Sequence, residues 1–165
     1  MVVKHSELPP EHQVEKGRVL FRGNNVQDEA GFAAVFSEQG SSASHLSAAN
    51  FLDVIGHMPG NEVDNADAEG AYTQSPMLED DTWISLPWEA IPKEYKAKFA
   101  SIKNPVVPMV MALEGHPRAG KFWEEYCRAT LLQRGWELVE GWECLYFHRK
   151  LMLFLSIYVD DFKMA

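Results

Sequence analysis

Tyr158-Val159-Asp160-Asp161 closes a run of apolar residues, Leu151-Met152-Leu153-Phe154-Leu155-Ser156-Ile157. A run this apolar reads as a strand buried on both faces or nearly so. Two adjacent carboxylates at its end are costly unless a positive charge compensates them. A divalent cation does so: hard ions such as Mg2+ prefer carboxylate oxygens, and take one or two of them plus substrate phosphates. A third carboxylate comes from Asp67, which ends the short extended segment Val63-Asp64-Asn65-Ala66. Two metals held ~3.5–4 Å apart by such a trio activate an attacking oxygen and stabilise a leaving one. In phosphoryl transfer the protein performs little covalent chemistry, and positioning and charge neutralisation dominate. A plainer reading stands beside this one: an Asp-Asp pair after a strand also makes a solvated turn.

The elements that would carry these residues follow from pattern. Residues 1–15 read as a loose leader, and 18–22 as a short strand before the turn Gly23-Asn24-Asn25. Residues 33–36 read as a second short strand. Apolar residues at Leu46, Ala49, Phe51, Leu52, Ile55 and Met58 predict a helix over 41–58, capped by Ser41, Ser42 or Ser44 and stopped by Pro59-Gly60. Residues 62–67 read as extended, with a turn through Gly70. A strand over 82–86 precedes a polar surface excursion over 88–104. Residues 106–113 are strand-like, with Pro108 confining them to an edge or a bulge. Pro117 opens a second helix, with Phe122, Trp123, Tyr126, Ala129 and Leu132 or Gln133 on its face and Gly135 ending it. The tail reads as a hairpin: a strand over 143–148, a tight Arg149-Lys150 turn, and a strand over 151–159. This order predicts an α+β fold, an antiparallel sheet with helices on one face.

Composition sets limits. The chain has 165 residues, 46% hydrophobic and 24% charged, enough for one domain with a core. No signal-like or membrane-length apolar run is present. Cys127 and Cys144 form no CxxC pair and read as reduced, buried thiols. The six histidines have neither HxxxH nor HExxH spacing, so zinc is not indicated, and no Walker-type glycine loop occurs. The net charge of −9 runs against a simple nucleic-acid-binding surface. Its distribution is uneven, however. Residues 61–92 carry eight acidic side chains and no basic one, whereas 93–150 carry ten Lys/Arg against seven Asp/Glu. The acid is gathered around the candidate metal site.

Tyr158-Val159-Asp160-Asp161 matches the YVDD box of copia-type retrotransposon reverse transcriptases. Asp67-Ala68-Glu69-Gly70-Ala71-Tyr72 resembles the family's first palm motif, an Asp followed five residues later by an aromatic. Residues 113–123, LEGHPRAGKFW, are similar to its LYGLKQAPRLWY segment, with Glu114 where that pattern has Tyr and the proline displaced. Residues 16–23, KGRVLFRG, resemble its fingers stretch KARLVAKG. The four matches stand in the family's order and span residues 16–165.

The resemblance implies a palm-like sheet with partial fingers, truncated at the C-terminus, without thumb, RNase H or integrase segments. It implies an RNA-directed DNA polymerase that adds deoxynucleotides to a primer 3′ end on an RNA template. Asp67, Asp160 and Asp161 would bind two Mg2+ ions, with Mn2+ able to substitute, and Ala68 would offer its backbone carbonyl. Tyr72 would stand as the steric gate against a ribose 2′-hydroxyl; it reads equally as a core aromatic. Arg18 would reach the incoming triphosphate, and also reads as a solvated strand-edge arginine. Gly115 and Arg118 would line the nucleotide or template pocket, or simply form a helix-entry loop. The family implies cytoplasmic particles, with nuclear passage, and no membrane. Without a thumb, little or no polymerase activity is expected of the chain alone. Two other functions remain open: a non-catalytic remnant that binds RNA or a protein, and a two-metal phosphotransferase or nuclease of another fold.

Overall fold

In the computed structural model of the chain, which describes residues 2–4, 16–18, 20–36, 43–77 and 82–165, five strands form one antiparallel sheet. They are β3 (Asp64–Asp67), β6 (Glu137–Leu138), β7 (Leu145–His148), β8 (Leu153–Tyr158) and β9 (Asp161–Met164), in the spatial order β3-β9-β8-β7-β6. Two smaller antiparallel pairs accompany it. One joins β1 (Val2–Lys4) to β2 (Lys16–Arg18), so three residues of the expected loose leader are paired. The other joins β4 (Trp83–Ser85) to β5 (Val106–Pro108). Three α-helices complete the described residues: α1 (Leu46–Gly56), α2 (Lys93–Ala100) and α3 (Ala119–Gln133). No helix among them is long and apolar enough to cross a membrane.

The α+β class and the antiparallel sheet are as expected, but the helices do not share one face. Side chains alternate across a strand. On β8, Leu155 and Ile157 join Tyr146 in a cluster with Trp123 and Cys127 of α3. Their neighbour Phe154 and the paired Leu145 pack with Ala48, Leu52 and Phe51 of α1. α1 and α3 therefore cover opposite faces. The reason is in β8 itself: apolar side chains on both sides of the strand leave two faces to bury, and one helical layer covers only one.

Local outcomes follow the same physics. α1 starts at Leu46 with His45 as its N-cap and no side-chain cap bond. Ser44 does not cap it; its Oγ instead meets Ser156 Oγ at 2.7 Å in a buried pair. Ser41 and Ser42 lie outside the described residues. α3 begins at Ala119 rather than Pro117 and buries Ala119, Phe122, Trp123 and Cys127. Its face is an i, i+3, i+4, i+8 stripe, and Tyr126 falls outside it at 38% exposure. Gly135 (φ 88°) ends the helix, its N–H donating to Leu132 O and that of Trp136 to Leu131 O. This paired arrangement depends on a left-handed residue that glycine adopts without steric cost.

Several short expectations change. Residues 20–22 and 34–36 are not strands, and Ala33 makes only an isolated bridge to Gln27. β5 is shorter than expected, and Met111 makes a separate bridge to Pro76. The surface excursion contains α2, an eight-residue helix that buries nothing and so shows no apolar stripe. The β7–β8 turn spans residues 149–152, with Met152 at φ 55°. The strand after the aspartate turn is present: β9 pairs with β8 on one side and β3 on the other.

Candidate metal centre

The carboxylates meet because of register. Asp67, the last residue of β3, stands opposite Asp161, the first of β9. Asp161 also pairs with Tyr158 across the turn that contains Val159 and Asp160. Asp67, Asp160 and Asp161 each bring one carboxylate oxygen within 4.8 Å of the others, and all three are exposed. Among the described residues this is the one group of three His, Cys, Asp or Glu side chains that could hold a metal ion. Hard, anionic oxygens converging at the open end of a sheet suit Mg2+ or Mn2+, which bind few protein ligands and keep room for others.

Backbone contacts fix the turn. The Ala68 N–H donates to Asp160 O at 2.8 Å, tying the chain after β3 to the turn after β8. The Trp123 indole N–H, from α3, donates to Val159 O at 2.5 Å. Val159 sits at φ 58°, a left-handed conformation in which a β-branched side chain crowds the backbone. Ala68 therefore has a definite part beside the carboxylates, through its N–H.

Tyr72 lies on the 3-10 turn formed by Ala71–Gln74. It is half-buried against two apolar clusters. Burial raises its phenol above the ordinary range, and the charges of Asp160 and then Glu114 add to this. The ring is thus a core aromatic within electrostatic reach of Asp160.

Gly115 and Arg118 are placed differently. Gly115 (φ 93°) presses on the Phe21 backbone so closely that a Cβ would sit 2.2 Å from Phe21 O. The Phe21 N–H also donates to Glu114 O at 2.8 Å. The glycine serves this backbone crossing. Arg118, the N-cap of α3, lays its guanidinium 5.0 Å from the centre of the Phe122 ring. Neither residue lines the cavity beside the carboxylates. For Arg18, the β2 backbone is described and the expected side-chain role lies outside the described residues.

That cavity, of about 710 Å3, lies between the start of α1 and the sheet. Asp67 and Asp161 line it together with Ser44, His45, Tyr158 and Lys163. Lys163 extends from β9 to Asp53 of α1, Nζ to Oδ1 at 2.5 Å. Lys163 carries no sequence motif, and the motif segment that ends at Trp123 gives no sign of what its indole N–H meets. The alternation Phe162-Lys163-Met164 is the one local signal for β9, and it is three residues long. Compared with known proteins, the chain matches no family model, and no curated protein and no solved structure is significantly similar to it.

Proposed function

We propose that this chain is a nucleotidyl-transfer domain of the reverse-transcriptase palm type, taking deoxynucleoside triphosphates and a primer on an RNA template. One observation carries the reading: three carboxylates from two sequence-distant segments converge within 4.8 Å at the end of an antiparallel sheet. The motifs that contain them stand in the order the resemblance implies.

Asp67, Asp160 and Asp161 would hold the divalent cations. Bound there, two such ions supply activation of a primer hydroxyl and neutralisation of the phosphate charge. The chain's own contribution is placement. The β3–β9 register holds Asp67 beside Asp161, and the Ala68-to-Asp160 hydrogen bond holds the turn against the first motif. Tyr72 would crowd a ribose 2′-hydroxyl and so favour deoxynucleotides, a role that rests on its place five residues after Asp67. Copying in cytoplasmic particles is the setting this function brings with it.

Primer extension tests the reading. The chain alone, and the chain prolonged by whatever residues its own locus encodes downstream, are each given oligo(dT) on poly(rA), dTTP, and Mg2+ or Mn2+, beside Asp160→Asn controls. Extension that disappears with Asp160→Asn supports the polymerase. Cleavage of a labelled primer in place of extension points to a two-metal nuclease. Folded protein with neither activity points to a non-catalytic module that binds RNA or protein, a reading the net charge of −9 favours.

A further inference from the structure

Trp123 does more at the carboxylate turn than fill the core. Its side chain is 3% exposed and packed among Ala71, Cys127, Tyr146, Leu155 and Ile157. Phe162 of β9 meets it edge-on, ring centres 6.4 Å apart. A ring held on so many sides has its N–H in one fixed direction, and that direction ends on Val159 O. Val159 is the residue whose conformation the turn can least easily keep. At φ 58° a β-branched side chain is disfavoured, and such conformations persist where surrounding structure holds them. The next carbonyl, that of Asp160, is held from the other side by the Ala68 N–H. Two successive carbonyls are thus gripped by donors from α3 and from the segment after β3. The peptide planes they fix are those that orient the Asp160 side chain and lead into Asp161.

We propose that Trp123 is a positioning residue for the carboxylate centre. Its indole N–H holds Val159 in the left-handed conformation that sets Asp160 and Asp161 beside Asp67. This inference rests on the metal-binding reading for its consequence, but the hold on the turn exists independently of any metal. It differs from a packing role in one respect: the N–H is what matters, beyond the bulk of the ring.

The test separates the two. Trp123 is replaced by Phe, and in a second protein by β-(3-benzothienyl)alanine, which keeps the bicyclic ring and puts sulfur in place of the N–H. Each replacement is made in the natural chain and in Val159→Gly, where glycine adopts the left-handed turn unaided. Amide exchange over residues 158–162 and Mn2+ affinity by calorimetry are read on all of them, with Asp160→Asn as control. In the natural chain, the analogue lacking the N–H is expected to speed exchange at the turn and weaken Mn2+ binding by about tenfold, as loss of an outer support of a metal ligand does. In Val159→Gly the same replacement is expected to cost less than about threefold, the shortfall being the coupling between indole and turn. Unchanged exchange and affinity in the analogue, or equal losses in both backgrounds, overturn the proposal. Faster turn exchange in a chain that binds no Mn2+ supports the indole's hold and removes the metal reading. Mn2+ binding that needs Asp160 but ignores the indole does the reverse.

Discussion

Three exposed carboxylates within 4.8 Å repel one another until a cation joins them, so the sign of a substitution there depends on the solution. In EDTA, Asp160→Asn removes one like charge and is expected to raise the thermal midpoint by about 1–2 °C. With Mn2+ at a hundredfold excess over its dissociation constant, the natural chain gains about 2.7 kcal/mol and Asp160→Asn gains little. Thermal melts with and without Mn2+ check the crossing, and parallel shifts in the two proteins would contradict it. These carboxylates are legible through the motifs that contain them rather than through any cost of burial, since all three are exposed. Trp123 is not legible in the same way. A tryptophan on the buried stripe of a helix reads as packing, and the target of its N–H is a turn some 35 residues further along the chain.

The elements carry their own stored costs. Ser44 and Ser156 form a buried hydroxyl pair that joins the approach to α1 with β8. Ser156→Ala leaves Ser44 without this partner and is expected to destabilise by about 1–2 kcal/mol. Ser44→Ala/Ser156→Ala is expected to cost less than the two single changes summed, as urea midpoints would show. In the β7–β8 turn, Met152 is 73% exposed at φ 55°. Met152→Gly removes the left-handed strain against glycine's greater chain entropy, for an expected net gain of about 0.5 kcal/mol; a loss would show that the side chain has a contact worth more than the strain. Long, periodic elements such as α1 and α3 can be read from the chain. α2 cannot, because a helix that buries nothing imposes no spacing on its apolar residues. Nor can the division of α1 and α3 between two faces, since the apolar run of β8 shows that both faces are covered and not by what.

Across the whole molecule, the core between α3 and the sheet contains two thiols and a phenol. Burial pushes Cys127 and Cys144 up from 9.0 to about 11, and Tyr146 from 10.0 to about 12. Below about pH 9 folded and unfolded chains both keep the thiol protons, and this contribution is fully present. Between about 9 and 11 the unfolded chain releases them first, so stability falls as pH rises and is lost through the folded values. The expected result is a lower urea midpoint at pH 10.5 than at pH 8. Urea titrations at pH 8 and 10.5 measure it, and Cys127→Ala/Cys144→Ala should flatten the difference; an unchanged slope would deny the thiols their part. The overall class is legible because the helix signals are followed by a hairpin of adjacent strands, whereas sheet order is not, because it depends on β9, a strand too short to announce itself. The pairing of β3 with β9 has a consequence for biosynthesis. The two halves of the carboxylate trio are about 90 residues apart along the chain, so a long loop must close before they meet. On a ribosome Asp67 emerges well before its partners, and during that interval it has no fellow carboxylates from β9. Capture of Mn2+ by chains stalled behind an appended linker of increasing length should therefore begin only when β9 has cleared the exit tunnel, making the ion a reporter of when the sheet is complete.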